Sequence, residues 1–216
     1  MPRLAQALKE HALRCGADLA GIAPARPGPE ASAFTRWLES GMAASMSYLA
    51  KDPQVRLDIR NWFPPARSVL VCGFSYGTAA KAGPLARYAL FPDYHRELKN
   101  ILSRILDWLR RAAPGTDGRV FVDTSPVLER LYGHHAGLGW IGKNSMLIST
   151  ELGSVFVLGG IALDRKLDCD RPPPDRCGSC RRCLDACPSG ALLRARVLDA
   201  ARCVSYLTIE HRGPIP

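Results

Sequence analysis

The sequence carries, at residues 177–188, the segment Cys177-Gly-Ser-Cys180-Arg-Arg-Cys183-Leu-Asp-Ala-Cys187-Pro188. Its spacing, C-x2-C-x2-C-x3-C-P, is the one with which bacterial ferredoxins ligate iron–sulfur clusters. Gaps of two residues let one tight loop aim successive thiolates at a single cluster, and the longer last gap carries the fourth sulfur out of that loop. In two-cluster ferredoxins the fourth cysteine ligates the other cluster. The motif therefore predicts a partner motif elsewhere and a chain that moves electrons.

The distribution of the cysteines separates this interpretation from two alternatives. A zinc ribbon has two C-x2-C pairs that are well separated, whereas three cysteines here follow at consecutive two-residue gaps. A secreted disulfide framework spreads its cysteines along the chain, but five of the eight cysteines, Cys203 being the last, lie within residues 177–216. This clustering favours a metal site in a reducing compartment.

Length and composition indicate one domain with an appendage, or two small domains. The chain has 216 residues, of which 47% are hydrophobic, enough for a proper core. The N-terminal stretch is amphipathic and unlike a signal peptide, and the longest apolar run, residues 155–163, is too short to span a membrane. We therefore expect a cytoplasmic protein that does not engage a membrane. The net charge of +9 permits a polyanionic partner such as RNA.

Hydrophobic periodicity predicts helices at residues 3–15 and 31–49 and strands at residues 18–23 and 68–74. The clearest helix extends over residues 93–113. Its apolar stripe consists of Leu98, Ile101, Leu102, Ile105, Leu106 and Leu109.

The rest of the chain alternates strands with helices. A strand at residues 119–122 ends at Asp123, and the next helix is predicted to start at Pro126 with Thr124 or Ser125 as its cap. Residues 145–149 and 154–158 predict a hairpin that turns at residues 151–153. The alternation predicts an α/β core. A proline-rich linker then divides the chain into residues 1–170 and a cluster module at residues 171–216.

Asp123 is the first candidate for chemistry because it follows a predicted strand and precedes a helix. Open α/β sheets bind their ligands at that edge. A partly desolvated carboxylic acid there can hold its proton near neutral pH and donate it to a substrate. A helix-capping aspartate is an equally good explanation of the position.

Two other motifs invite comparison with cofactor sites. Asp93-Tyr94-His95 begins like D-x-H-x-x-G, in which the histidine ligates the cobalt of cobalamin, but Leu98 replaces the glycine and a helix starts here. A capping aspartate with a first-turn histidine explains it better. Residues 137–144 are glycine-rich, but the residue after Lys143 departs from the phosphate-loop pattern. The pattern still allows the interpretation that these residues form a loop lining a cofactor pocket.

Several segments, taken together, resemble the epoxyqueuosine reductases, the cobalamin- and iron–sulfur-dependent family of queuosine biosynthesis in tRNA. The segments are residues 86–89 with 93–95, 122–130, 136–145, 177–188 and 203–210. They extend from about residue 56 to the end of the sequence. Reductive dehalogenases, which share the cofactor pairing, resemble the chain more distantly.

The resemblance implies an α/β (α+β) fold, with a cobalamin-binding domain at residues 1–170 followed by a ferredoxin-like [4Fe-4S] module. No side chain would be required beneath the cobalt. The residues implied to contact the corrin are Arg56, Ala86, Asp123, Leu147 and Leu158. Asp123 would be the proton donor. The first cluster would be held by Cys177, Cys180 and Cys183, and the second by Cys187 and Cys203.

The resemblance also implies a reaction and its partners. A monomer would reduce epoxyqueuosine to queuosine in the anticodon loop of tRNA, with electrons from an external low-potential donor. Family members carry another cysteine motif further on, so we expect a C-terminally truncated chain. Cys169 as a substitute ligand is disfavoured because residues 172–174 are prolines. Two alternative functions are an electron-carrier protein and a reductive dehalogenase. The matched segments disfavour the carrier, and the N-terminal stretch is unlike the export signal that reductive dehalogenases typically carry.

Overall fold

The computed structural model describes residues 2–26, 28–77, 86–90 and 92–215. The helices are α1 (Pro2–Arg14), α2 (Ser32–Glu39), α3 (Pro53–Leu57), α4 (Tyr94–Ala112), α5 (Glu129–His135), α6 (Arg182–Asp185) and α7 (Val204–Ile209). The strands are β1 (Leu19–Pro24), β2 (Ser68–Ser75), β3 (Gly118–Val122), β4 (Trp140–Ile141), β5 (Leu147–Ile148), β6 (Phe156–Leu163), β7 (Leu192–Arg194) and β8 (Val197–Leu198). Short 3-10 turns occur at Pro29–Ala31, Ser47–Leu49, Ile59–Asn61, Arg87–Leu90 and Ala200–Arg202.

The central sheet has the strand order β1-β2-β6-β3, and each of its pairings is antiparallel. Its inner strands, β2 and β6, are almost wholly buried. Alternate residues of β2 point to opposite faces, so Leu70 joins one core cluster while Val69 and Val71 join the other. Burial on both faces explains why this strand reads as a continuous apolar run.

Helices cover both faces of this sheet. α1 and α4 lie on one face, where Leu8, Leu102 and Leu109 are fully buried. α5 lies on the other, where Tyr132 shares a core cluster with Phe121. The predicted mixed helix–sheet class is confirmed, and its antiparallel sheet makes it the α+β form.

Most elements lie within one or two residues of their predicted positions. This holds for α1, β1, β2, α4 and β3. The side chain of Asp93 accepts the backbone N–H of His95, so the aspartate caps α4 as predicted. The apolar stripe of α4 packs into the core, with Ile101 only partly buried.

Two helix predictions need correction. The helix expected at residues 31–49 ends at Glu39, because Gly41 takes a left-handed conformation with φ of 70°. The helix expected to begin at Pro126 begins instead at Glu129, and neither Thr124 nor Ser125 caps it. The Glu129 side chain accepts the N–H of Asp123, which keeps the intervening residues in a turn.

The predicted hairpin of residues 145–149 and 154–158 is also wrong. β5 pairs with β4, whereas β6 enters the central sheet between β2 and β3. The turn itself is present, closed by a bridge between Ser149 and Gly153. β6 has nearly every residue buried, so it needs covered faces that a small hairpin does not provide.

The cysteine-rich segment packs against the α2 region through hydrogen bonds of polar side chains. The indole Nε1 of Trp37 donates to the carbonyl of Leu198 at 2.6 Å. The hydroxyls of Ser45 and Tyr206 lie 2.6 Å apart. Within the described ranges, no helix is long and apolar enough to cross a membrane.

Candidate active site and cysteine motif

A pocket of about 170 Å³ opens where β3 ends, between the start of α4 and the start of α5. Apolar side chains from β5 and β6 form one wall, and ionisable groups form the other. The lining residues are Tyr94, Asp123, Glu129, Arg130, Met146, Leu147, Ser154, Phe156, Val157 and Leu158. Since Asp123, Leu147 and Leu158 all line it, the pocket brings together three of the five residues expected at the cofactor.

Asp123 stands directly after β3 in an unusual backbone conformation. Its φ of 37° lies in the left-handed region, which a non-glycine residue adopts at a cost. Its N–H donates to Glu129 Oε1 at 2.6 Å, and its Oδ2 lies 3.0 Å from His95 Nε2. The side chain is 57% exposed, so the partial desolvation expected for this carboxyl is not observed.

His95 links two carboxylates. Its Nδ1 lies 2.8 Å from Asp93 Oδ1, and its Nε2 faces Asp123. Burial of the ring disfavours its charged form, but the hydrogen bonds to Asp123 and Asp93 outweigh this, and the pKa of His95 is raised. Both ring nitrogens are hydrogen-bonded, so His95, in the first turn of α4, holds the side chain of Asp123 in place.

Glu129 is an ionisable residue of the site that sequence reasoning missed. It is the first residue of α5 and lines the pocket beside Asp123. Burial, with the neighbouring charge of Asp123, raises the pKa of Glu129 to about 8. The sequence shows only that Glu129 follows Asp123 by six residues, near a predicted helix. That spacing does not predict a contact between the two residues unless the turn between them is known.

Arg56 and Ala86 are not among the residues that line the pocket. Arg56 belongs to α3, with its guanidinium 5.8 Å from the ring centroid of Tyr48. Burial and the neighbouring Glu210 raise the pKa of Tyr48, and the charge of Asp123 raises it further. Tyr48 and its partner Arg56 therefore lie within electrostatic range of the site. Ala86 is exposed and immediately precedes a 3-10 turn.

An aromatic row borders the pocket on the side of α4. The rings of Tyr76, Tyr88 and Tyr94 meet edge to face at 6.2 and 6.3 Å between centroids. Tyr94, the member that lines the pocket, stacks on His95 at 4.1 Å. This row packs against the residues that hold Asp123.

The pocket fits part of a corrin site. Leu147, Leu158 and Phe156 give it an apolar wall, and Met146 leaves 38% of its surface exposed beside that wall. The histidine at the start of α4 is bonded through both ring nitrogens, to Asp93 and Asp123. These residues can hold a flat apolar group against an acidic side chain.

The cysteine motif forms a tight loop followed by the short helix α6. The N–H of Cys180 donates to the carbonyl of Cys177 at 2.9 Å, and Gly178 between them has a φ of 46°. Hydrogen bonds from the backbone N–H of Leu192, among others, lower the pKa of Cys187. A thiolate that accepts N–H groups suits an iron–sulfur ligand.

Within the described ranges, the cysteines form no disulfide and belong to no three-ligand group that could hold a metal ion. All eight lie in the described ranges, and all are free thiols. In the same ranges, no three His, Cys, Asp or Glu side chains come together as a metal ion would require. Cys203 stands just before α7.

Lys143 connects the glycine-rich segment to the cysteine loop. Its Nζ donates to the carbonyl of Gly178 at 2.7 Å and to that of Cys180 at 2.8 Å. Arg196 adds a second link, since its backbone N–H donates to the carbonyl of Lys143. Residues 137–144, which the sequence allowed as a cofactor-lining loop, thus anchor the cysteine motif to the rest of the fold.

Comparison with known families agrees with this arrangement. The model described as "Epoxyqueuosine reductase QueG, DUF1730" matches residues 56–124, a range that includes Asp123. The model described as "4Fe-4S double cluster binding domain" matches residues 176–216, which contain the cysteine motif and Cys203. The expectation of a [4Fe-4S]-binding region is therefore confirmed.

Individual proteins give the same result. An epoxyqueuosine reductase of Gloeobacter violaceus is 41% identical over 99% of this chain and 68% of its own length. A crystal structure of epoxyqueuosine reductase with an epoxyqueuosine-modified tRNA-Tyr stem loop is 29% identical with a TM-score of 0.86, and the match covers 99% of this chain and 59% of that one.

A third comparison concerns the loop that carries the aspartate. The structure of the Bacillus subtilis epoxyqueuosine reductase, with its catalytic aspartate loop swung out of the active site, is 27% identical with a TM-score of 0.85 and 59% of its length covered. The chain thus spans about two thirds of the curated relative and about three fifths of the two solved proteins. On the identity and coverage of the Gloeobacter protein, the chain belongs to the epoxyqueuosine reductase family, whose members are oxidoreductases.

Proposed function

We propose that this chain contributes the catalytic pocket of an enzyme that reduces epoxyqueuosine to queuosine in the anticodon loop of tRNA. The observation that carries the proposal is the placement of Asp123, held by two hydrogen bonds at the mouth of a pocket with an apolar wall. The solved structure of a family relative, whose catalytic aspartate loop is swung out of the active site, supports a catalytic role for this turn.

The substrate is a modified nucleoside in tRNA. A solved relative holds an epoxyqueuosine-modified tRNA stem loop, which supports the same substrate here. Unpaired bases of an anticodon loop can leave their stack and enter a protein pocket. The net charge of +9 favours association with the phosphate backbone.

The residues of the pocket divide the work of binding and proton transfer. Leu147 and Leu158 would pack against cobalamin, with Arg56 and Ala86 as further contacts outside the pocket lining. Bound there, cobalamin supplies low-potential electron chemistry at its cobalt. Asp123 gives a proton to the oxygen that leaves the epoxide. Removal of that oxygen as water consumes two electrons and two protons, and leaves a carbon–carbon double bond.

Electrons reach the pocket through the cysteine-rich segment. Cys177, Cys180 and Cys183 would ligate one [4Fe-4S] cluster, and Cys187 and Cys203 would belong to a second. The link from Lys143 to the cysteine loop supports close placement of that loop and the pocket domain. We place the boundary between the two parts near residue 170. We further propose a cytoplasmic monomer with an external low-potential electron donor.

The test uses the natural gene product, purified without oxygen, reconstituted with iron and sulfide, and mixed with cobalamin and epoxyqueuosine-containing tRNA. The proposal predicts binding of both partners and, with a strong reductant, formation of queuosine in nuclease digests analysed by mass spectrometry. A ferredoxin-like carrier would bind neither partner, and a reductive dehalogenase would bind cobalamin alone. Reconstituted protein that binds both but forms no queuosine refutes the activity.

A further inference from the structure

We propose that Glu129 is a positioning residue that holds the Asp123 turn against the pocket, by accepting the backbone N–H of Asp123. The inference deepens the proposed function, because it takes Asp123 as the proton donor. It assigns a role to a half-buried acid that the catalytic step itself does not use. The first evidence is the bond, with 2.6 Å between Asp123 N and Glu129 Oε1.

The turn needs an external restraint because its first residue is strained. A non-glycine residue with φ of 37° costs about 1–2 kcal/mol, and such conformations persist where the surroundings enforce them. The turn's own backbone bonds, from Ser125 to Val122 and from Val127 to Ser125, leave the N–H of Asp123 unused. Glu129 is the acceptor of that N–H.

Glu129 sits on a rigid support. It begins α5, and Tyr132 in the next turn of that helix is 3% exposed. The Tyr132 hydroxyl donates to the carbonyl of Ala25 and accepts the N–H of Ile59, both at 3.2 Å. This hydrogen bonding fixes α5 on the sheet, so the Glu129 carboxyl is a stationary acceptor for a strained neighbour.

A second tether acts on a different part of Asp123. His95 bonds the carboxylate at Oδ2, whereas Glu129 bonds the backbone. Loss of Glu129 therefore leaves the carboxyl attached but frees the main chain that aims it. The effect should fall on the rate of the chemical step, because the apolar wall of Leu147 and Leu158, proposed to pack against cobalamin, is untouched.

The charges around Glu129 give the contact a pH dependence. The ionisable groups that face it are Asp123 at the end of β3, His95 and Tyr94 on α4, and Arg130 on α5. A protonated Glu129 still accepts through its carbonyl oxygen without repelling Asp123. Once it ionises, two carboxylates share the site and the turn is disfavoured.

The experiment compares Glu129→Ala and Glu129→Gln with the wild type, and uses Glu151→Gln, in an exposed turn, as the matched control. Hydrogen exchange of residues 123–128 in the purified protein reports the turn directly. We expect protection to fall about tenfold or more in the alanine variant and to stay within about threefold in the glutamine variant. Queuosine formation should slow by a similar factor in the alanine variant, with KM for tRNA unchanged.

The pH profile provides the readout that a purely structural role would not move. The wild-type rate should decline above about pH 8, and the glutamine variant should lack that decline. Unchanged protection of residues 123–128 in Glu129→Ala overturns the proposal. If the alanine variant does not fold, a glutamine variant whose pH profile matches that of the wild type overturns it equally. Full activity of Asp123→Asn would instead refute the proposed function, and the exchange data would still decide the role of Glu129.

Discussion

Replacement of Glu129 by glutamine should stabilise the folded protein at alkaline pH. The native site raises the pKa of this carboxyl from 4.5 to about 8, through burial first and the charge of Asp123 second. Between these values the native state binds more protons than the unfolded chain. Stability therefore falls as the pH rises through this window. Glutamine removes the titration and keeps an oxygen acceptor for the N–H of Asp123.

The magnitude follows from the same interval. At 1.36 kcal/mol per pH unit, ionisation of Glu129 in the folded protein lowers the free energy of unfolding by at most about 5 kcal/mol. Because the carboxyl lines an open pocket, water screens it, and we expect about half of that value. Urea unfolding of both proteins from about pH 5 to about pH 8 should show the glutamine variant gaining about 2–3 kcal/mol relative to the wild type.

The second cause of the shift gives an internal control. In an Asp123→Asn background the neighbouring charge is absent, so the advantage of glutamine should shrink. A stability difference between the two proteins that stays constant with pH, or that moves in favour of the wild type as the pH rises, would refute the assignment of Glu129 as a half-buried acid with a raised pKa.

Three further substitutions test other parts of the structure. His95→Ala removes the ring that holds the Asp123 carboxylate, and single-turnover queuosine formation should slow by about tenfold or more, with cobalamin still bound. Lys143→Met removes two hydrogen bonds to the cysteine loop and should destabilise the protein by about 1–3 kcal/mol in denaturant titrations, with faster proteolysis of that loop. Gly160→Ala puts a methyl group against the backbone oxygen of Leu70 and the ring of Phe121 and should cost about 2–3 kcal/mol, measured as a lower midpoint of thermal unfolding. Wild-type behaviour of His95→Ala or Lys143→Met would contradict the contact that the variant removes, and wild-type behaviour of Gly160→Ala would contradict the close packing at that glycine.

Local patterns in the sequence were enough to place the helices that have one apolar face. The stripe of α4 repeats at helical spacing, and Asp93 is a strong cap, so both ends of this helix could be predicted. The motif at residues 177–188 likewise carries its chemistry in its spacing alone. Such features depend on residues that are close together in the chain.

The predictions that were wrong concern elements whose structure depends on contacts with residues outside their own stretch of sequence. β6 reads equally well as half of a hairpin, and its place between β2 and β3 is set by strands that lie far away along the chain. Pro126 is a good first residue for a helix, but the bond between Glu129 and the Asp123 N–H holds this stretch in a turn. For the same reason Glu129 could not be predicted as part of the site.

The most direct test of the account is the turnover of an Asp123→Asn variant, with Asp107→Asn on the outer face of α4 as the control. Asparagine keeps the shape of the side chain but cannot supply a carboxyl proton. We predict that the variant binds cobalamin with the wild-type spectrum and tRNA with the wild-type affinity, yet forms no queuosine, while the control is fully active. Conversion of epoxyqueuosine by Asp123→Asn at the wild-type rate would contradict the central claim.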